Sequence, residues 1–218
     1  MVDYRQFRLH RLNEPQFSHL KLLGGWIGYF ILYFLTENLI PVERCTPIHS
    51  ALDDMIPFCE GFVVFYTSWY ALIVICLLIF LLYDIQSFRD LSGFIIITQV
   101  VAMAIYILWP SRQDLRPLVF ERNNAFTWFL GVIYGFDTST GVCPSLHVAY
   151  SIGIGSVWLK KKDASPVWKA ILVVWLVLIC ASVVFVKQHS IVDVFAALPL
   201  GLLAELIIYR KRYFPRKT

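Results

Sequence analysis

The distribution of hydrophobic residues divides this chain into long apolar runs separated by short polar connections. Five runs are long enough to form helices that cross a lipid bilayer, which takes about 20 mostly apolar residues at ~1.5 Å per residue. They cover residues 22–40, 61–83, 91–109, 167–186 and 190–209. A weaker run covers 145–159, and an apolar stretch at 125–135 is too short to span. The pattern predicts an all-α polytopic membrane helical bundle with six transmembrane helices and a short interfacial or re-entrant segment near 125–135.

The composition is typical of an integral membrane protein. Of 218 residues, 58% are hydrophobic and 16% are charged, whereas soluble domains average roughly 45–50% apolar and about 25% charged residues. No linker or repeat divides the sequence, so we interpret residues 1–218 as one domain. Residues 1–20 contain arginines but no apolar core, so they do not resemble a cleavable signal peptide. We expect the first span to stay in the membrane as an anchor.

Lysine and arginine residues lie mostly on one side of the predicted bundle. Fourteen of the nineteen flank the N-terminus, the 84–90 turn, the 160–169 turn and the C-terminus. Because cytoplasmic segments carry the excess of positive charge, both termini are predicted to be cytoplasmic. The connections 41–60, 110–144 and 187–189 then face outward. The basic residues flank spans and form no separate domain, so the net charge of +4 indicates contact with anionic lipid rather than with nucleic acid.

Three ionisable residues lie where predicted spans begin on the outward side. Pro144-Ser145-Leu146-His147 opens the fourth span, and His189 and Asp193 open the sixth. Ionisable groups at membrane depth are costly and by default mark a functional site. His189 and Asp193 are four residues apart, so a helix places them on one face. Asp193 can then orient His189 as a nucleophile, and His147 can protonate a leaving oxygen as a general acid.

Other polar residues on the same face are suited to bind the oxygens of a phosphate group. Arg116 can make bidentate contacts, Lys187 adds a point charge, Ser145 offers a hydroxyl and Arg112 lies close in sequence. With the two histidines, these residues predict phosphoryl transfer through a phosphohistidine.

Two alternatives for the ionisable residues stay open. Asp193 can simply cap the first turn of its helix, where the helix dipole favours a carboxylate. His147, His189 and Asp193 can also form a metal site, although nothing else in the chain has ligand spacing. We expect no metal and no cofactor.

The same residues resemble the membrane branch of the type 2 phosphatidic acid phosphatase (PAP2) superfamily. Its three sequence blocks are matched, in order, by Arg116-Pro117, by Pro144-Ser145-Leu146-His147 and by Ser182 with His189 and Asp193. The resemblance covers roughly residues 110–200, and the six-span layout extends it over most of the chain. Leu146 replaces the glycine of the second block. Trp109 and Val183 stand where the family has a lysine and an arginine, and Arg112 and Lys187 are the candidates to replace those cations.

The resemblance implies a metal-independent phosphatase. His189 is then the nucleophile, Asp193 its orienting partner, His147 the general acid, and Arg116 and Ser145 bind phosphate. The implied substrate is a lipid phosphomonoester or diphosphate, such as phosphatidate, phosphatidylglycerol phosphate or a polyprenyl diphosphate.

Two other functions remain under consideration. The tract Lys187-Gln188-His189 resembles a sub-branch of the superfamily with Lys-Gln-His in the third block. With its His189-x-x-x-Asp193 spacing, the tract is also similar to the sphingomyelin and inositol-phosphorylceramide synthases. The alternative is therefore a phosphotransferase that moves a head-group phosphate to a lipid or sugar alcohol. A transporter without chemistry is a third interpretation, since charged residues within spans also line transport paths.

The expected location is a multi-pass plasma (inner) membrane, with the active site on the extracytoplasmic face. The short loops and the lack of a cleavable targeting peptide favour a bacterial origin. The expected partners are the lipid bilayer and a membrane lipid phosphate, and the sequence does not determine the oligomeric state.

The sequence also allows predictions for a few polar residues outside the motifs. Cys45 and Cys59 both lie on the outward side and can form a disulfide. Asp137 is interpreted as a solvated loop residue. Glu205 is expected to reach the interface or to pair with Arg210.

Overall fold

The computed structural model describes residues 2–214, apart from the side chains of residues 29 and 37–39. The described chain is mostly helical. Its α-helices are α1 (Lys21–Leu39), α2 (Ala51–Met55), α3 (Val63–Tyr83), α4 (Ile85–Leu108), α5 (Ala125–Phe136), α6 (Leu146–Lys160), α7 (Pro166–Phe185), α8 (Ile191–Ile208) and α9 (Arg210–Tyr213). Two strands of two residues each, β1 (Thr46–Pro47) and β2 (Ser111–Arg112), lie in the loops between helices.

Six long helices, α1, α3, α4, α6, α7 and α8, lie at the six predicted hydrophobic segments. Four described helical segments are long and apolar enough to cross a membrane: Glu60–Tyr83, Ile85–Leu108, Pro166–Phe185 and Ile191–Ile208. Helix α6 has only 15 residues, a length of about 22 Å against the ~30 Å of a bilayer core. The structure therefore supports a membrane protein, while the count of six spans and the cytoplasmic termini stay predictions.

Polar side chains define where several helices begin. Ser165 accepts the N–H of Trp168 at the start of α7, and proline follows it at the first helical position. Asn124 accepts the N–H groups of Phe126 and Thr127 at the start of α5. These caps satisfy N–H groups that have no partner within the helix, which fixes the boundaries of otherwise uniformly apolar segments.

Helix α6 lies at the centre of the bundle, where it packs against α3, α4, α7 and α8. Ten of its 15 residues are buried. Two glycines allow the close approach of neighbouring helices. A Cβ at Gly153 would lie 2.6 Å from the ring of Phe94, and a Cβ at Gly201 of α8 would lie 2.8 Å from Ile152. Small residues at such contacts are common in membrane bundles, and here they fix the position of α6.

Three connections meet over one end of the bundle, which we call the site end. Thr46 pairs with Ser111 between the parallel strands β1 and β2, and Thr140 forms an antiparallel bridge with Arg112. Gly141, at a φ of 61° that favours glycine, donates its N–H to the Ser111 carbonyl at 2.8 Å. Two of the connections predicted to face outward, 41–60 and 110–144, are thus tied to one another beside the N-terminus of α6.

The apolar stretch predicted at 125–135 forms helix α5. It packs against α3 and buries Leu130, while Trp128 and Phe136 are 69% and 85% exposed. A short helix with one exposed aromatic face suits the membrane interface, and that placement stays a prediction.

At the opposite end of the bundle, Glu205 has a different partner from the one predicted. Lys160 Nζ donates to Glu205 Oε1 at 2.5 Å, and the hydroxyls of Ser156 and Tyr213 donate to the same carboxylate. Helix packing brings Lys160 on α6 against α8, a contact that sequence spacing does not reveal. At the site end, the predicted option of a disulfide is not realised, because Cys45 and Cys59 are not bonded to each other.

Candidate active site

The two histidines predicted as nucleophile and acid lie side by side at the site end. The ring centroids of His147 and His189 are 5.9 Å apart, and Asp193 Oδ2 lies 3.2 Å from His189 Nδ1. Only 6%, 9% and 0% of the surfaces of His147, His189 and Asp193 are exposed. The backbone joins the two helices directly, because the N–H of Ser145 donates to the Asp193 carbonyl at 3.0 Å.

The turn between α7 and α8 sets the position of His189. The carbonyl of Val183 accepts the N–H groups of Gln188 and His189, each at 3.0 Å. Lys187 adopts a left-handed φ of 54°, which costs a residue with a side chain about 1–2 kcal/mol. Its ammonium donates to the carbonyls of Asp53 at 2.7 Å and Ile56 at 2.6 Å. These bonds hold the strained turn against the 53–56 segment.

Asp193 serves as a helix cap and as the partner of His189 at once. Its Oδ2 accepts the N–H of Ser190 at 3.0 Å, while Ser190 Oγ accepts the N–H of Val192 at 3.1 Å. The two interpretations that the sequence left open are therefore compatible, since one carboxylate oxygen fulfils both. A carboxylate beside Nδ1 favours the tautomer with its proton on that nitrogen and leaves the lone pair on Nε2 of His189.

The imidazole of His147 lies between two aromatic rings. Trp69 stacks on it with a centroid distance of 4.0 Å, and Tyr66 stacks on it at 4.3 Å. Tyr70 approaches edge-on at 5.9 Å. Within the described structure, His147 Nε2 is buried and has no hydrogen-bond partner. Such a nitrogen is rare in folded proteins.

A cavity of about 280 Å³, here called the site cavity, opens beside both histidines. Its walls contain Gln188 and Asp137 together with the start of α6 and the 138–142 loop. Six aromatic residues complete the described lining: Phe30, Tyr33, Trp69, Tyr70, Tyr106 and Phe136. No lysine or arginine is among the lining residues that the structure describes.

Arg116, the predicted phosphate clamp, instead binds protein groups behind the cavity wall. Its Nε donates to Gln188 Oε1 at 2.7 Å, and its Nη1 donates to the Tyr134 carbonyl at 3.2 Å. Its Nη2 donates to the carbonyls of Asp137 at 2.6 Å and Thr138 at 2.8 Å. The guanidinium also lies over the Tyr134 ring, 4.5 Å from the centroid. Arg116 thus joins the loop after α5 to the residue before His189.

The other predicted phosphate-binding residues do not reach the site cavity either. Lys187 is occupied by two carbonyls, as described above, and its burial lowers the pKa of the ammonium, against the opposing effect of Asp53. Arg112 contacts Asp114 Oδ2 at 3.2 Å and the Val42 carbonyl at 3.1 Å. Ser145 lies next to the site, but its hydroxyl is fully buried and has no partner among the described residues. The structure therefore does not bring the four residues Arg112, Arg116, Ser145 and Lys187 to the cavity wall.

Asp137, expected to be a solvated loop residue, is a wall residue of the site cavity. Its Oδ2 accepts the hydroxyl of Tyr66 and the Nε2 of Gln188, the latter at 2.9 Å. Because Tyr66 stacks on His147 and Gln188 precedes His189, Asp137 connects the surroundings of both histidines. The presence of Gln188 in the Lys-Gln-His tract was the only sequence signal for this network, and it does not identify Asp137.

Asp53 is a second residue that sequence reasoning missed. It is 2% exposed, and its carboxylate accepts the Ser190 hydroxyl at 2.6 Å and the Ile191 N–H at 2.7 Å. The sequence signal was the Ser50-x-x-Asp53 pattern of a capping box, which is also formed. That pattern identifies the start of α2 but gives no hint of the contact with α8.

Cys143 lies close to the catalytic candidates without the properties of a nucleophile. Burial and, after it, the negative charge of Asp193 raise the pKa of its thiol to about 12. The thiol is therefore protonated near neutral pH, and protonated thiols are poor nucleophiles. Among the side chains that the structure describes, no group of three or more His, Cys, Asp or Glu residues is arranged to hold a metal ion.

Comparison with known proteins supplies no relative: no protein-family model, curated protein or solved structure matches this chain. The resemblance to the PAP2 superfamily thus rests on the sequence motifs alone.

Proposed function

We propose that this chain is an integral membrane enzyme that hydrolyses a lipid phosphate ester through a phosphohistidine on His189. The observation that supports this proposal is the arrangement of His147, His189 and Asp193, in which two imidazoles lie 5.9 Å apart and a carboxylate contacts one of them. A nucleophile oriented by a buried carboxylate and facing a second acid–base group is a recurrent catalytic arrangement.

In the first step, Nε2 of His189 attacks the phosphorus atom of the lipid. A P–N bond forms, the P–O bond to the lipid breaks, and protonated His147 gives its proton to the departing oxygen. Asp193 stabilises the positive charge that develops on His189. In the second step, water attacks the phosphorus, neutral His147 accepts the water proton, and the P–N bond breaks to restore His189.

The start of α6 supports the negative charge that develops on the phosphate oxygens. Leu146 and His147, the first two residues of this helix, line the site cavity. The first N–H groups of a helix have no acceptor within it, and together with the helix dipole they favour a bound anion. This contribution replaces part of the missing cationic contacts.

The stacked rings around His147 support its role as the acid. Trp69 and Tyr66 stack on the imidazole at 4.0 and 4.3 Å, so the ring is held in one orientation beside the site cavity. The unpartnered Nε2 is then the nitrogen that meets the leaving oxygen.

A phosphotransferase is the second candidate, and the aromatic lining of the site cavity favours it. Walls of this kind restrict water, so that a lipid or sugar alcohol can resolve the phosphohistidine instead.

In the proposed orientation, the site cavity faces the extracytoplasmic side of a plasma membrane. The reaction then takes place at the outer leaflet.

The proposed reaction is tested with purified protein in detergent and chelator. A panel of phosphatidate, phosphatidylglycerol phosphate, polyprenyl diphosphate and zwitterionic phospholipids is assayed for release of phosphate or of a phosphorylated head group. We expect turnover that falls at least ~100-fold in His189→Ala and His147→Ala. His49→Ala is the matched control, because His49 is an exposed loop histidine paired with Asp54. No product from any lipid, with or without added alcohols, would refute the proposal.

A further inference from the structure

Helix α2 and the residues beside it, numbers 50–56 and here called the α2 segment, hold the turn that carries His189 from both sides. Before the histidine, the ammonium of Lys187 donates to two backbone carbonyls of the α2 segment. After it, the Ser190 hydroxyl donates to the Asp53 carboxylate at 2.6 Å. The position of His189 in the bundle therefore depends on a segment that lies far away in sequence.

The Asp53 carboxylate joins the starts of two helices. Its Oδ2 accepts the Ser190 hydroxyl and, at the start of α2, the N–H of Ser50 at 2.8 Å. Its Oδ1 accepts the N–H of Ile191, the first residue of α8, at 2.7 Å. Because all three partners are donors, both oxygens have to act as acceptors, which a carboxylate can do and a side-chain amide cannot.

Ser190 connects this carboxylate to the catalytic candidates. Its hydroxyl donates to Asp53, and its N–H donates to Asp193 Oδ2 at 3.0 Å. The same Asp193 oxygen lies 3.2 Å from His189 Nδ1. A continuous series of hydrogen bonds thus runs from α2 to the imidazole, and Asp53, Ser190 and Asp193 are all buried. Displacement of Ser190 would therefore change the geometry of the His189–Asp193 pair.

The connection between α1 and α3 has a further attachment at the end of α7. The N–H of Cys59 donates to the Phe185 carbonyl at 3.0 Å, and the rings of Phe62 and Phe185 stack with centroids 4.4 Å apart. These contacts do not involve Asp53. Loss of the Asp53 bonds should therefore displace the turn around His189 locally, while the connection stays attached to the bundle.

We infer that Asp53 is a positioning residue of the reaction, which holds His189 where it meets the phosphate and His147. The inference rests on the proposed function. Asp53 is not among the described residues that line the site cavity, so it acts through Ser190 rather than on the substrate. A misplacement of about 1 Å caused by a substitution away from the chemistry can lower a rate about 100-fold.

Kinetics of Asp53→Asn test this role. In either orientation of the amide, its nitrogen would face a backbone N–H, that of Ser50 or that of Ile191, so the bonds to both helices cannot all form. We expect kcat to fall about 10- to 100-fold, with KM within about twofold of wild type. Asp54→Asn is the matched control and should keep the wild-type kcat, since Asp54 is the next residue of α2 but is exposed and pairs with His49.

Two further variants separate positioning from general destabilisation. Asp84→Asn removes an ion pair with Lys161 at the opposite end of the bundle and should leave kcat unchanged at temperatures where the variant is folded. Ser190→Ala removes the hydroxyl that meets Asp53 but keeps the carboxylate, so it replaces Asp53→Asn if that variant does not fold. In the double variant, the loss of kcat should be smaller than the product of the two single losses, because both substitutions break the same connection.

The state of the imidazole can also be measured without turnover. In protein with isotopically labelled histidine nitrogens, nuclear magnetic resonance reports the hydrogen bonding of each imidazole, and the His189 signal is identified by its absence from His189→Ala. The partner of one ring nitrogen determines which nitrogen carries the proton. We therefore expect the His189 signal to change in Asp53→Asn and in Ser190→Ala, and to stay as in wild type in Asp54→Asn.

The possible results separate the two proposals. An unchanged His189 signal in both Asp53→Asn and Ser190→Ala overturns the inference, whether or not the chain turns over a lipid. A wild-type kcat in Asp53→Asn, or an equal loss of kcat in Asp84→Asn, overturns it while the proposed function stands. If the His189 signal changes as expected but the wild-type chain processes no lipid, the effect of Asp53 on His189 stands and the proposed function fails.

Discussion

The imidazole of His147 lies face to face with the indole of Trp69, with ring centroids 4.0 Å apart and planes inclined by 25°. A flat ring in this position fixes the orientation of the imidazole. The nitrogen that would donate a proton is thereby held in place although it has no hydrogen-bond partner among the described atoms.

Replacement of Trp69 by leucine tests this relationship. A stacked aromatic pair contributes about 0.5–1.5 kcal/mol beyond its buried area, so we expect kcat to fall roughly 2- to 10-fold, with a smaller loss in Trp69→Phe. Trp128→Leu is the control, because Trp128 is 69% exposed and lies outside the cavity. Equal kcat values for Trp69→Leu and Trp69→Phe would argue against a role of the stacked ring.

The two roles of Asp193 can be separated by its substitutions. Asp193→Asn keeps an oxygen for the Ser190 N–H but removes the negative charge beside His189, so we expect kcat to fall by a factor of about 100 or more. Loss of a cap typically costs about 1 kcal/mol, so Asp193→Ala should also lower the unfolding temperature, while Asp193→Asn should lower it less. Kinetics and thermal unfolding of both variants measure the difference. An active Asp193→Asn enzyme would show that the carboxylate acts only as a cap.

Arg116 is expected to contribute to the stability of the fold rather than to the binding of substrate. Lysine cannot reproduce a guanidinium that donates to Gln188 and to three carbonyls, so Arg116→Lys should lower the free energy of unfolding by about 2–4 kcal/mol. A direct phosphate ligand would instead raise KM without a large change in stability. Unfolding and kinetics of Arg116→Lys, compared with the exposed-loop control Arg122→Lys, distinguish the two.

At the opposite end of the bundle, protonation of Asp84 in acid should lower the stability of the fold. Burial raises the pKa of this carboxyl, but hydrogen bonds from Lys161, at 2.5 Å, and from Ser87 outweigh burial and lower it to about 2. Because the pKa is lower in the folded state than the ordinary 3.8, the pair stabilises the fold fully above pH 3.8. That contribution is lost as the pH falls toward 2.

The comparison of wild type with Asp84→Asn measures this effect. We expect the variant to be less stable at pH 6 and the difference to shrink between about pH 4 and pH 2. Asp163→Asn is the control, because Asp163 is 76% exposed and lies 3.4 Å from Lys161, a geometry in which ion pairs contribute about 0–1 kcal/mol. A constant difference across this pH range would contradict the role of the Asp84 charge.

Much of the fold could be predicted because hydrophobicity is a local property. The long apolar runs and the stretch at 125–135 each became a helix. His189 and Asp193 do meet at the start of α8, but His189 lies two residues before its first residue, so the turn before the helix brings them together rather than the helical spacing that the sequence suggested. The meeting of His147 with that pair was also predictable, since both motifs lie at span ends on the same predicted side.

The remainder of the site depends on contacts between residues far apart in sequence. Arg116 was predicted to bind phosphate because its chemistry permits it, but the sequence does not show which backbone carbonyls surround it. Asp137 meets Tyr66 only after α3 and the loop beyond α5 pack together. The aromatic lining likewise combines α1, α3, α4 and α5, and the apolar pattern of each helix alone does not distinguish a cavity wall from a core.

The central claim is that His189 carries the phosphoryl group in a pocket shared with His147. It is tested most directly by acid-free rapid quenching of the enzyme with a lipid labelled at phosphorus, followed by peptide mapping. We expect an alkali-stable phosphohistidine on His189 that is absent from His189→Ala and present in His49→Ala. Label on another residue, or turnover that persists in His189→Ala, would contradict it.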